Sequence, residues 1–262
     1  MRPLRRILKE VTPARGEKKL RVGFFLGCAD DLVFASAGTT TVSMLSRNGC
    51  EVVIPRRMEC CGMPCVGYGE MDQALKLAKR NIDAFEAAEV EYIISDCGTC
   101  GSFLKTYSDL LKGDPQYAER ASNFSRKIAD ICQFLIGEIG LKPGTVSLEG
   151  KVTYHDSCHL RWMQKVSAQP RKALGLIPGL ELVEMKESDT CCGGAGSYNL
   201  THYQTSMSIL DRKMANIAAT NASLIATGCP GCRIQLRLGV KRRGLEASVV
   251  HPVELLEQSC QK

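Results

Sequence analysis

Ten of the fourteen cysteines fall into one five-cysteine pattern written twice: Cys28, Cys60, Cys61, Cys97 and Cys100, then Cys158, Cys191, Cys192, Cys229 and Cys232. The second set follows the first at a nearly constant step of 130 to 132 residues, the mark of an internal duplication. The sequence around the cysteines repeats in kind. An apolar run precedes each lone cysteine (VGFFLGC, VTYHDSC), Cys-Cys-Gly occurs in both halves, and a small apolar stretch leads into each CxxC (YIISDCGTC, LIATGCPGC). Such a chain is constrained to two similar halves, each with its own cysteine site.

With 262 residues the chain has room for one large domain or two of about 130 residues, and 44% hydrophobic with 24% charged residues is an ordinary globular mix. The net charge of +6 is confined to the start. Arg2, Arg5, Arg6, Lys9, Arg15, Lys18, Lys19 and Arg21 face only Glu10 and Glu17 there, and the remainder is neutral. The basic balance therefore belongs to an arm or linker, not to a nucleic-acid-binding body. A solvated arm is the plain reading; the sharper one is docking on an acidic partner or on the anionic inner face of a membrane. No stretch approaches the ~18 apolar residues of a membrane span. Ile7 and Leu8 are hemmed by charge, so a signal peptide is not expected either. A cytoplasmic protein is expected, where cysteines serve metal or redox chemistry more than disulfides.

The order of elements predicts an α/β fold with parallel sheets. Strands are expected at 21–27, 51–54 and 92–95, helices at 33–47, 70–88 and from Cys100 through Leu111, and one long helix at 117–138. The second half repeats this with strands at 152–155, 180–185 and 223–226 and helices at 168–175, 203–220 and 232–238; Val249-Val250 and a helix over 252–258 close it. The division is then a basic arm over 1–20, a first domain over 21–150 and a second over 151–262. Loops at the carboxyl ends of parallel strands converge on one edge. All three cysteine loops of each half follow such strands, so five thiols spread over about 70 residues can meet.

Disulfides do not suit five cysteines per site or tandem pairs. A thioredoxin-like dithiol uses the CxxC and leaves three cysteines per half unexplained. Zinc takes four ligands in closed sites, commonly from two CxxC knuckles, whereas each half offers one knuckle, one lone cysteine and one adjacent pair. An iron–sulfur cluster, held by thiolates and large enough to be reached from three loops, suits the set best. A conventional cubane on four of the five cysteines stays open, but the tandem pair points to a different ligand demand. A CxxC at a helix N-terminus also suits a thiolate.

The doubled pattern resembles the cysteine-rich CCG domain family, duplicated as in the B subunit of heterodisulfide reductase, the lactate-utilisation iron–sulfur protein and the iron–sulfur subunit of glycolate oxidase. The resemblance runs from about Arg21 to Glu257, and the last third (TCCGGAGSYN, ATGCPGC, VVHPVELL) looks most like the glycolate oxidase subunit. It implies two similar α/β halves and, from heterodisulfide reductase, a noncubane [4Fe-4S] cluster on each set of five cysteines. Such glycolate oxidase subunits carry an N-terminal ferredoxin region. Here residues 1–21 resemble the linker that would follow it, so that module is expected on a separate polypeptide or to have been lost or removed. Many such subunits lack one cysteine of the second CxxC, whereas Cys229 is present here.

The resemblance further implies an electron-transfer subunit of a glycolate or lactate dehydrogenase complex, working with an FAD-containing dehydrogenase subunit, a ferredoxin-like iron–sulfur subunit or domain, and a quinone or other acceptor. The alternative is a catalytic subunit that cleaves a disulfide at a noncubane cluster, as in heterodisulfide reductase; a third reading is a metal-stabilised interaction module. No flavin or nicotinamide fingerprint is present, so hydroxy-acid chemistry by this chain alone is not expected. Cys65 reads as a structural thiol, and Cys50, Cys132 and Cys260 as inert. His155 and His159 bracket Cys158, where an imidazole could serve as hydrogen-bond donor, proton source or ligand; core or hydrogen-bonded histidine is the plainer reading, since the first half has Phe25 and Ala29 there. Arg161, Arg233 and Lys105 read as helix-surface charges. Gly193-Gly194-Ala195-Gly196 reads as a close approach of backbone to a cluster.

Overall fold

The computed structural model describes residues 3–260, which divide into two compact units, one up to Ile139 and one from Gly140 onward. The first unit is built on a five-stranded sheet. Its strands are β1 (Val11–Thr12), β2 (Leu20–Phe24), β3 (Cys50–Val53), β4 (Tyr92–Ser95) and β5 (Ile128–Asp130), in the order β1-β3-β2-β4-β5. All neighbours are parallel except β1, which runs antiparallel to β3. The second unit has four parallel strands, β6 (Gly150–Tyr154), β7 (Leu180–Leu182), β8 (Leu224–Ala226) and β9 (Ser248–Val250), in the order β7-β6-β8-β9. The inner orders β3-β2-β4 and β7-β6-β8 are the same arrangement repeated. The mixed α/β class with parallel sheets agrees with the sequence reading.

The inner strands are apolar because helices cover both faces of such a sheet, and Val22, Phe24, Ile93, Ile94, Val152, Tyr154 and Ile225 are at most 1% exposed. The helix Met71–Glu86 lays Ala74, Leu77, Ala78, Ile82 and Phe85 on the first sheet at helical spacing. Its contact is close because β2 carries Gly23 there; a Cβ on that residue would stand 2.7 Å from the Phe85 ring.

Three expectations need correction. The long helix at 117–138 is a helix Ala118–Arg126, strand β5 and a helix Ile131–Gly137. The apolar run of Ile128, Ile131, Phe134 and Leu135 carries on through the strand–helix junction and so hides the break. The signal that marks it is Asp130, whose carboxylate accepts from the backbone N–H groups of Cys132 and Gln133 at 2.8 and 3.1 Å. Second, the basic segment is not a solvated arm. Leu4 is buried beside Gly38 and Leu26, Asp31 accepts from the Arg5 backbone at 2.8 Å, and β1 pairs with β3. Third, residues 142–148 belong with the second unit and not with the domain expected over 21–150: Gly144, Thr145 and Leu148 donate to the carbonyls of Leu176, Ser259 and Pro178 at 3.1, 2.9 and 2.8 Å. Short helices at Cys28–Leu32, Met63–Gly67, His159–Met163 and Tyr198–Thr201 were not expected, and the helix expected through Leu111 breaks at Thr106; other differences lie at boundaries. The helix expected at 232–238 spans Pro230–Arg243, with proline in its first turn and Gly244 at φ +60° ending it.

Among the described residues no helix is long and apolar enough to cross a membrane.

Asp130 supplies a pH test. Burial raises its pKa to about 6, with the two backbone donors and Lys105 acting the other way. A carboxyl raised in the folded state favours folding below its unfolded pKa of about 3.9, and that advantage is lost as pH rises through about 6. Asp130→Asn keeps the cap without the charge. We expect it to stabilise the first unit at pH 7 by about 1–2 kcal/mol in anaerobic urea denaturation, with the gain shrinking toward pH 5.

Candidate metal centres

Each lone cysteine leaves the end of an inner strand. β2 ends at Phe24 and Cys28 opens the one-turn helix Cys28–Leu32; β6 ends at Tyr154 and Cys158 follows four residues later. The tandem pairs lie in the loops after β3 and β7, and each CxxC lies between an inner strand and a helix N-terminus. Cys97 caps the helix Gly98–Lys105, its sulfur accepting from the Cys100 backbone N–H at 3.3 Å, and Cys229 occupies the N-cap of Pro230–Arg243. Backbone amides and the helix dipole thus face the sulfurs.

The thiols of each unit meet. In the first, side-chain contacts run without a gap from Cys28 to Cys60, Cys61, Cys100 and Cys97. In the second they run from Cys191 to Cys192, Cys232 and Cys229, with Cys158 near enough to Cys229 and Cys192 for their charges to raise its pKa beyond what burial does. Gly27 permits this closeness, since a Cβ there would lie 3.4 Å from the Cys100 sulfur. Gly193, at φ +88°, turns the second tandem pair inward; a Cβ would stand 2.5 Å from the Ser206 carbonyl oxygen, and its N–H donates to the Cys191 sulfur at 3.2 Å.

The electrostatics of each set favour one thiolate and oppose three of its neighbours. Cys60 is held far below the usual thiol range by the Cys28 and Cys61 thiols, and Cys28 is pushed up by its contact with Cys60 and by burial. Cys192 is held well down by Cys191, then Cys232, with His155 adding to the effect, while Cys232 is pushed well up by Cys192 and Cys229. Five thiolates can coexist here only beside compensating positive charge. Thiolates converging on one locus from three loops form a donor set suited to a multinuclear metal group.

Around the sulfurs lies a brace that pattern reading missed. Tyr107 donates to the Cys61 carbonyl at 2.6 Å, and Asn81 donates to the Cys60 carbonyl at 3.0 Å while its own oxygen accepts from the Glu59 backbone at 2.8 Å. Asn81 is fully buried on the apolar face of its helix, and a lone polar residue in that stripe was the available signal. In the second unit Ser206 donates to the Gly193 carbonyl at 2.7 Å, and the buried Lys213 donates to the carbonyls of Glu187 and Ser188. Asp156, fully buried, accepts from Arg171 at 2.7 and 2.9 Å, from Arg161 at 3.3 Å and from Ser167 and Ser188. It ties the Cys158 loop to the segment leading into Cys191.

His155 is not a remote core histidine. It is buried, and a ring nitrogen lies with the Cys192 and Cys232 sulfurs in a group whose ligand atoms all fall within 4.8 Å of one another. His159 stands 3.8 Å from the Cys158 sulfur through Nδ1. Arg233 and Arg161 are not plain surface charges either: Arg233 is buried and pairs with Glu254 at 2.8 Å, and Arg161 pairs with Asp156 and Asp189. Lys105 is half-buried, and burial lowers its pKa. Cys65 lies half-exposed on the short helix Met63–Gly67, Cys50 and Cys132 are buried in β3 and the helix Ile131–Gly137, and Cys260 is half-exposed beside Ser259.

Among known proteins, the chain is 44% identical over 248 residues to a Bacillus subtilis protein named "Probable glycolate oxidase iron-sulfur subunit", covering 93% of this chain and 56% of that one. It is 33% identical over 237 residues to lactate utilization protein A of Oceanobacillus iheyensis, covering 90% of this chain and 96% of that one. It therefore spans just over half of the former protein and nearly all of the latter. A hypothetical protein from Helicobacter pylori shares the fold, at TM-score 0.63 and 10% identity, over 99% of this chain and 53% of its own. Residues 22–105 and 152–237 each match the family described as the cysteine-rich CCG domain. The chain, with both copies and a five-thiol group in each, belongs to the CCG cysteine-rich domain family.

Proposed function

We propose that each five-cysteine group holds one four-iron iron–sulfur cluster, noncubane in form, and that the chain is the electron-transfer subunit of a complex oxidising glycolate, lactate or a similar 2-hydroxy acid. The observation that carries this reading is the convergence of five thiols at the strand ends of each unit, a donor set too large for a closed zinc site. The names borne by its relatives, glycolate oxidase iron-sulfur subunit and lactate utilization protein A, support the same reading.

When bound, such clusters supply one-electron storage. The chain's own residues do the rest. Cys28, Cys60, Cys61, Cys97 and Cys100 hold the first, and Cys158, Cys191, Cys192, Cys229 and Cys232 the second. The N–H groups at Cys100 and Gly193 offset sulfur charge, and Asn81, Tyr107, Ser206 and Asp156 keep the loops in place. An FAD-containing dehydrogenase partner takes the electrons from the hydroxy acid. A ferredoxin-like iron–sulfur subunit or domain and a quinone are the further partners, the last at a membrane surface.

Prepared without air, the protein should carry about eight irons and as many sulfides. Stoichiometric zinc without sulfide would reject the cluster reading. With its flavoprotein partner, the chain should be reduced on addition of glycolate or lactate and should oxidise neither alone. Rapid reduction of a thiol heterodisulfide by the isolated chain would instead favour the disulfide-cleaving alternative.

A further inference from the structure

The two groups are built on one backbone but walled by different side chains. Phe24 pairs with Ile94 between β2 and β4, and the next residue, Phe25, donates its N–H to the Ile94 carbonyl at 2.8 Å. Tyr154 pairs with Ala226 between β6 and β8, and the next residue, His155, donates its N–H to the Ala226 carbonyl at 2.9 Å. The register is the same, so Phe25 and His155 occupy the same backbone seat, three residues before the lone cysteine. The occupants differ in kind. Phe25 buries a ring against Phe85 at 6.1 Å, whereas His155 puts a ring nitrogen beside the Cys192 and Cys232 sulfurs. The buried His155 Nδ1 has no hydrogen-bond partner among the described residues.

A second pair differs in the same sense. The helices that cover the cysteine loops, Met71–Glu86 and Tyr203–Ala218, stand 132 residues apart at both ends (203−71 and 218−86), which places Lys213 at the position of Asn81. Asn81 is fully buried and neutral, and its amide donates to the Cys60 carbonyl. Lys213 is equally buried and is anchored on the Glu187 and Ser188 carbonyls; burial lowers its pKa, and the nearby Cys192, Asp189, Glu187 and Asp156 act the other way.

We infer that His155 is a polar donor to the group bound by the second cysteine set, assisted by the Lys213 charge, and that it makes this the more readily reduced of the two sites. A hydrogen-bond donor and a buried cation at the sulfurs stabilise the negative charge gained on reduction; in the first unit the phenyl ring of Phe25 offers no donor and the neutral amide of Asn81 no charge. The inference rests on the reading that both cysteine sets hold iron–sulfur clusters. It makes the duplicated sites unequal, the second being reduced at the higher potential.

The test is a spectroscopic redox titration of the anaerobically purified full-length chain, with iron and sulfide measured on the same samples. The wild type should show two resolved one-electron midpoints. His155→Phe, which copies the first unit, should keep the iron and leave one midpoint unmoved while lowering the reduction equilibrium constant of the other about tenfold, or ~59 mV for one electron. His155→Gln, which retains an N–H donor, should recover part of the shift. Lys213→Met should move the same midpoint in the same direction. Two coincident midpoints, or no response to any of the three substitutions, would overturn the inference while the iron content still upheld the clusters. Loss of half the iron in both His155 variants would also overturn it, because His155 would then be a ligand and not a donor. A chain without iron or sulfide would instead remove the functional reading beneath it.

Discussion

Serine in place of Cys61 should halve the iron and sulfide of the protein, and serine in place of Cys192 should do the same through the other site. Each lies at the middle of its chain of thiol contacts, Cys61 between Cys60 and Cys100 and Cys192 between Cys191 and Cys232. Each is nearly fully buried, so no water-borne ligand replaces the lost sulfur. The double substitution should leave almost no iron. Metal and sulfide analysis of anaerobic preparations reads this directly, and Cys50→Ser and Cys132→Ser serve as controls that should change metal content not at all. A single substitution that emptied both sites would mean that one group is shared, contrary to two units each with five thiols of its own.

The second large effect is expected at Asp156. Its carboxylate is completely enclosed and faces two arginines and two hydroxyls. Burial alone would push its pKa up, but Arg171 and the hydroxyl donors of Ser167 and Ser188 outweigh that and hold it below the usual carboxylate range. Asp156→Ala leaves Arg171 without its buried partner and removes the Ser188 hydroxyl's tie to the Cys158 loop, leaving only the backbone bond from residue 156 to the Ser188 carbonyl. Breaking a buried pair from one side costs about 3–5 kcal/mol. The second unit should lose stability on that scale in anaerobic urea denaturation, and the second site should lose its iron while the first keeps its own. Unchanged stability would show that the aspartate is not the brace its contacts describe.

The fold and the sulfurs were largely legible in the sequence because both are written in strong local signals. The parallel strands are short apolar runs ended by loops, and the cysteines are doubled at a constant step. The pieces that escaped are those where one signal continued through a change of structure or where a residue acts at long range. Ile128 to Leu135 stays apolar across the junction between β5 and its helix, so periodicity cannot show where strand gives way to helix. Asn81 and Lys213 are polar residues inside apolar stripes; the sequence marks them as exceptions but not as anchors for a loop some twenty residues away. Charge misled at the start of the chain. The excess of arginine and lysine drew attention from Leu4 and Val11, which tie that segment into the first unit.

That tie has a bearing on solubility. An open sheet presents unpaired N–H and C=O groups at its edges, and an apolar edge is a template for pairing with another molecule. β3 carries Cys50 and Val52, both fully buried, and on its outer side it is covered by the two residues of β1. In the second sheet the corresponding edge is β7, only three residues long with the charged Glu181 at its centre. The duplication thus guards one edge by a cover and the other by brevity and charge, and a chain trimmed of its first twelve residues would lay open the outer edge of β3, where Cys50 and Val52 are otherwise fully buried.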